Sequence, residues 1–256
     1  MLLRTSSLPL LALVLAAFAL GAGSASAETT LEKIKRTKLM TTANSFEYAP
    51  FGYIENGKPV GLDVDLGEDI ARRMGVKVTF EKIDFKGIIA ALTSGRVDCL
   101  VTAMTWAPER AERILFSEPY FDGGIGAAYR PQLPIAKPDD LVGKRVGAQL
   151  GSTGERWTRE KYSSALSDFK TYDSLLLALK DLENGRTDAV VAALPAVRYA
   201  MRSMPAIRVT GVWDSRVVGI NTRKTDQDLM DEINKHMIAL KKDGTLDRLV
   251  AKWFGS

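Results

Sequence analysis

Short apolar runs alternate along this chain with stretches in which apolar residues return every three or four positions. Lys38 to Thr42 reads as a strand, and Asn56-Gly57 within Tyr53 to Val60 supplies the two positive φ angles of a tight hairpin turn. Asp63 is placed to cap a helix whose Leu66, Ile70, Ala71 and Met74 share one face and which Gly75 ends. Val76, Val78 and Phe80 alternate as a strand. Phe85, Ile88, Ile89 and Leu92 follow at helical spacing, closed by Gly95, and Val97 to Thr102 is an apolar strand. This βαβ order predicts a mostly parallel sheet covered by helices.

The pattern restarts after the Gly-rich stretch Asp122 to Gly126. Arg145 to Gln149, Lys170 to Tyr172 and Asp188 to Ala193 read as strands. Ser152 and Glu155 form the S-x-x-E signature of a helix start, Asp173 is a candidate cap for the apolar helix Leu175 to Leu182, and Pro195 suits a first helical turn. Val217 to Asn221 is a last strand, before an amphipathic helix from Asp228 to Lys242 and a helical end from Leu246 to Phe254. An internal echo organises the whole. Leu92-Thr93-Ser94-Gly95-Arg96-Val97-Asp98 recurs as Leu182-Glu183-Asn184-Gly185-Arg186-Thr187-Asp188, each between an apolar helix and an apolar strand. Two similar α/β lobes are expected, with a cleft where the carboxyl ends of their strands face one another.

Composition narrows the chemistry. The 256 residues are 46% hydrophobic and 26% charged, with formal net charge +4 and the two signs interspersed, so no nucleic-acid footprint is expected. One histidine and one cysteine exclude a His/Cys metal cage, a disulfide framework and a histidine triad. Cys99 is expected to be buried and inert, and His236 to be exposed. Arg4 precedes an apolar run from Leu8 to Leu20, and Ala25-Ser26-Ala27 fits a cleavage rule, so residues 1–27 read as a removable signal peptide. On residue type alone, Arg110 is either a solvated helix residue or an anion ligand. Phe85 is either core or cleft wall, and Trp106 either stacks on a ligand or packs beneath its loop.

Pro50-Phe51, Gly61-Leu62-Asp63-Val64-Asp65-Leu66, Asp84 to Leu92, Thr105-Trp106-Ala107-Pro108-Glu109-Arg110, Phe116-Ser117-Glu118-Pro119-Tyr120 and Asp243-Gly244-Thr245-Leu246 appear in that order. Together they resemble the family 3 extracellular solute-binding proteins, periplasmic receptors of amino-acid ABC importers. The resemblance implies a type II-like periplasmic binding fold, two α/β lobes joined by a two-strand hinge. Lobe 1 would comprise residues 28–121 and 218–256, and lobe 2 residues 122–217. It implies a monomer that closes on a small carboxylate ligand and hands it to an inner-membrane permease, with no cofactor.

Position by position, the resemblance implies that Arg110 and Thr105 bind the ligand carboxylate. Thr102 and Ala103 would offer backbone groups at a strand end, and Ser152 and Thr153 would complete the carboxylate site. Phe85 and Tyr48 would sandwich the ligand side chain. Two positions depart from the pattern. Ala193 stands where many members carry an Asp for the ligand ammonium, and Asn44 where some carry another. Either a second acid replaces them, Glu47 being nearest in sequence, or the ligand lacks a free α-amino group. The reading adopted is a ligand that keeps a carboxylate and is not a standard cationic amino acid. The competing class is an enzyme on the same scaffold, similar to the periplasmic cyclohexadienyl dehydratases, for which Glu47 is the candidate acid. The acid-free Ala193 position speaks against it; a third class is an auxiliary sensor or carrier that hands its ligand to another periplasmic partner.

Overall fold

The computed structural model describes residues 27–255, so the expected signal segment, apart from its last residue, lies outside the described residues. Two five-stranded sheets carry the molecule. In the first, β1 (Leu39–Asn44) lies parallel between β5 (Lys77–Lys82) and β6 (Cys99–Leu100), while β15 (Asn221–Arg223) runs antiparallel between β6 and β7 (Ile114–Phe116). In the second, β10 (Arg145–Gln149) lies parallel between β11 (Asp168–Tyr172) and β12 (Ala189–Ala193). There β9 (Ile125–Tyr129) pairs antiparallel with both β12 and β13 (Arg208–Val209). The sheets are therefore mixed, and β9 starts within the Gly-rich stretch Asp122 to Gly126, continuing through residues not read as a strand in the sequence.

The chain leaves the first sheet through β8 (Phe121–Asp122) and returns through β14 (Val217–Val218), and these two strands pair antiparallel. A three-stranded flap, β2 (Glu47–Tyr48), β3 (Gly52–Glu55) and β4 (Lys58–Val60), projects beside the first sheet. Its turn has positive φ at both Asn56 and Gly57 (51° and 77°), as a two-residue hairpin loop requires.

Helices cover both faces of each sheet, and the central strand β12, Ala-Val-Val-Ala-Ala, is apolar throughout, while the outer parallel strands β5 and β11 alternate apolar with polar residues. On β12, Val190 and Ala192 pack with Leu175, Leu179 and Leu182 of α6 (Leu175–Glu183). The alternate residues Ala189 and Val191 pack with Val146 and with Trp157 of α5 (Thr153–Tyr162). In the first sheet, Met40 packs with Leu66 and Ile70 of α2 (Leu62–Arg73), while Ala43 packs with Ile88 and Leu92 of α3 (Ile88–Thr93). Around these lie α1 (Thr30–Thr37), α4 (Pro108–Ala111), α7 (Leu194–Ala200), α8 (Gln227–Lys242) and α9 (Thr245–Phe254). Among the described residues no helix is long and apolar enough to cross a membrane.

The sequence echo has a physical meaning. Gly95 and Gly185 adopt left-handed φ (81° and 76°), and the following Arg96 and Arg186 N–H groups donate back to Ala91 and Asp181 carbonyls, closing equivalent helix ends. The aspartates then act alike. Asp98 accepts the Thr41 N–H and donates its own N–H to the Thr41 carbonyl, and Asp188 does the same with Arg145. Each motif thus ends a helix and pins the next strand to its neighbour.

Three local expectations need correcting. Asp63 does not cap α2: Gly61 is the N-cap, and Asp63 lies inside the first turn. Ser174, not Asp173, caps α6 by accepting the Leu177 N–H. His236 is buried in α8 beside Glu232, because it falls on the same stripe as Leu229, Ile233 and Leu240. Cys99 is buried, and burial pushes its thiol up to about 12.

Candidate ligand-binding cleft

A cavity lies where the carboxyl ends of parallel strands from both sheets meet. Asn44 and Ser45 reach it from β1, Thr102 and Ala103 from the turn after β6, Gln149 from β10 and Ala193 from β12. It encloses about 690 Å³, its open mouth included. Tyr48 and Phe85 form part of its wall; Tyr48 stacks on Phe51, and Phe85 lies under the Arg110 guanidinium at 5.6 Å. Ala103 holds a left-handed φ of 48°, and its N–H donates to the Tyr120 hydroxyl at 3.0 Å.

One end of the cavity is formed by the start of α5. Ser152 caps α5 by accepting the Glu155 N–H, while the Glu155 carboxylate takes the Gly151 N–H at 2.6 Å, so the helix start is held rigid. The adjoining backbone donors and the helix dipole favour negative charge there. The Thr105 and Thr153 hydroxyls meet across the cleft. Behind them sits Arg110, only 3% exposed. Its Nη1 donates to the Thr105 carbonyl (2.7 Å) and Thr105 Oγ1 (2.9 Å), and its Nη2 to the Gly151 carbonyl (2.8 Å). Among the described residues no carboxylate forms an ion pair with it, and its buried Nε has no partner. Burial, reinforced by the nearby Arg156 charge, lowers its pKa to about 9.

The other notable group is one that sequence reasoning missed. Asp63 lines the cavity and is 1% exposed. Tyr120 Oη donates to its Oδ1 at 2.6 Å and Asn44 Nδ2 to its Oδ2 at 3.1 Å. Burial raises its carboxyl to about 7 against those donors. Gly61 makes this placement possible: at φ 129° a Cβ would lie 2.2 Å from the Phe51 carbonyl oxygen. That close approach lets the Leu62 and Asp63 N–H groups bond Pro50 and Phe51 carbonyls, turning the first turn of α2 toward the cleft. The signal available in sequence was the glycine preceding a helix start that already has acids to spare. Leu175 and Gln149 also line the cavity and carried no motif.

Asn44, Tyr48, Phe85, Thr102, Ala103, Thr105, Ser152, Thr153 and Ala193 are thus gathered on one surface, with Arg110 immediately behind it. Glu47 and Trp106 are not. Glu47 sits outside the cavity and pairs with Lys82 at 3.6 Å. Trp106 is 42% exposed, so it neither lines the cavity nor packs beneath its loop. Asn44 spends its amide within the protein, on Asp63, the Val101 carbonyl and the Phe46 N–H.

The profile of the bacterial extracellular solute-binding proteins, family 3, matches residues 40–256. The chain belongs to this family. It is 33% identical over 234 residues to the L-cystine-binding protein TcyJ of Escherichia coli K12, covering 90% of this chain and 87% of TcyJ. A crystal structure of the P235GK mutant of ArgBP from T. maritima superposes with TM-score 0.85 at 34% identity, covering 89% of this chain and all of that one. The ancestral amino acid-binding protein AncCDT-1, described as a precursor of cyclohexadienyl dehydratase, superposes with TM-score 0.82 at 31% identity, covering 88% and 100%. This family 3 protein is a solute-binding receptor with the type II periplasmic binding architecture.

Proposed function

We propose that this receptor captures an amino-acid-class ligand by closing lobe 2 (122–217) onto lobe 1 (28–121 with 218–256), and delivers it from the periplasm to an inner-membrane ABC permease. The observation that carries this reading is Arg110, a buried cation with no ion pair among the described residues, set against the Thr105 hydroxyl and the rigid start of α5. A ligand carboxylate completes that group, accepting charge-assisted hydrogen bonds. Asp63 supplies the acid missing at Ala193 and lies where Glu47 does not reach. The ground for excluding a cationic ligand is thereby removed: the cavity suits a molecule with a carboxylate toward Arg110 and an ammonium or other N–H donor toward Asp63. Relatives named for L-cystine and for arginine accord with that charge pattern. Calorimetric titration against arginine, cystine, glutamine and their deaminated counterparts tests it. Amino acids should bind and the deaminated acids bind more weakly; equal affinity for both would remove Asp63 from the site.

The reading is of a non-catalytic receptor. A dehydratase would need a cleft acid protonated near neutrality, and Asp63 is the one placed to be so. Both its oxygens are, however, engaged by Tyr120 and Asn44 within the protein. Incubation with prephenate or arogenate should give no turnover; turnover abolished in Asp63→Asn would reassign the protein as an enzyme.

A further inference from the structure

A second recess opens on the far side of Arg110 from the cavity. Lys86, Arg110 and Arg113 line it from one side and Arg156 of α5 from the other, against a single lining carboxylate, Glu109. Two of these charges are spoken for: Lys86 pairs with Asp173 at 2.7 Å, and Arg156 with Glu109. Arg113 is exposed and has no ion-pair partner among the described residues. Arg110 and Arg156 converge on the same two acceptors. Their donors lie 2.8 and 3.2 Å from the Gly151 carbonyl, and 3.3 and 3.4 Å from Thr153 Oγ1. Of these two guanidinium groups only Arg156 has an ion pair, with Glu109; Arg110, its Nε buried and unpartnered, and the exposed Arg113 have none among the described residues. The remaining lining is apolar, including Phe85, Ile89 and Met104, and weakens the screening of their charge.

We propose that this recess is an anion site separate from the ligand cavity, taking a small oxyanion of the phosphate or sulfate class between Arg113 and Arg156. Planar guanidinium forks match such oxyanions better than they match chloride. Because Arg113 precedes the crossing into the second sheet and Arg156 follows it, the site is complete only when the two halves are together, and an anion there favours the closed form. This coupling rests on the closing-receptor reading, but occupancy of the recess does not.

The probe is inorganic phosphate, added to protein freed of phosphate and amino acids, with sodium chloride at matched ionic strength as control. At ten times its dissociation constant, phosphate should raise the melting temperature by about 3 °C above the chloride control. Arg113→Gln, which touches no described ion pair, should weaken phosphate binding about ten-fold, and Arg156→Gln at least as much. A phosphate response no larger than that of chloride overturns the proposal, as does an Arg113→Gln protein that responds like the wild type. No amino acid enters this titration, so its failure leaves the cavity reading standing. Failure of the amino-acid calorimetry, conversely, leaves the anion site standing.

Discussion

Arg110 is a buried cation with no ion pair among the described residues, and this determines what its removal does. Arg110→Ala should weaken ligand binding by about 1.5–3 kcal/mol, the range for a charge-assisted hydrogen bond, in a protein that still folds. Calorimetry measures it, and unchanged affinity would detach Arg110 from the carboxylate site. Asp63 makes a prediction about pH. Burial raises its carboxyl to about 7, whereas an unfolded Asp titrates near 3.9. Between those values the native state holds a proton that the unfolded chain has released, so this group's contribution to stability falls as pH rises from about 4 to about 7. Thermal melts across that range should show the decline in the wild type and a flatter profile in Asp63→Asn. A cationic ligand should bind more tightly as pH rises through about 7, as Asp63 gains its charge. Arg110 was legible because its motif surrounds it. Asp63 was not, since its role depends on Asn44 and Tyr120, which lie 19 and 57 positions away in the chain.

At the scale of elements, the start of α5 does the positioning. Gly154 sits in its first turn, and a Cβ there would lie 2.4 Å from the Val191 carbonyl oxygen of β12. Backbone cannot swing aside as a side chain can. Gly154→Ala should therefore cost about 1–3 kcal/mol of stability, the range for overpacking, and should weaken ligand binding by displacing Ser152 and Thr153. Denaturation and titration of the same variant check both, and a neutral result would mean the helix start tolerates a shift. Elements with a local cause were readable from sequence: the S-x-x-E start, the Asn-Gly turn, and both L-x-x-G-R-x-D helix ends. The antiparallel members β9 and β15 were not recognisable as sheet partners, because period-two patterning marks a strand but does not name its neighbour. His236 was misread by residue type although the spacing of Leu229, Ile233 and Leu240 already placed it on the buried stripe.

At the scale of the molecule, two short paired strands, β8 and β14, are the crossings between the sheets, while Lys86–Asp173 and Arg156–Glu109 tie the sides together at the rim. Ligand should therefore shift the population toward the compact form, seen as a smaller radius of gyration in solution scattering; identical profiles with and without bound amino acid would argue against closure. The double crossing also sets an order of assembly. Every strand of the second sheet lies between residues 125 and 209, so that sheet can be completed from one continuous piece of chain. The first sheet cannot: β15, residues 221–223, is inserted between β6 and β7, which end more than a hundred positions earlier. During synthesis, β6 and β7 must wait with their facing edges open, exposed to wrong partners, until the final stretch of chain arrives. The half of the receptor made first is the half finished last.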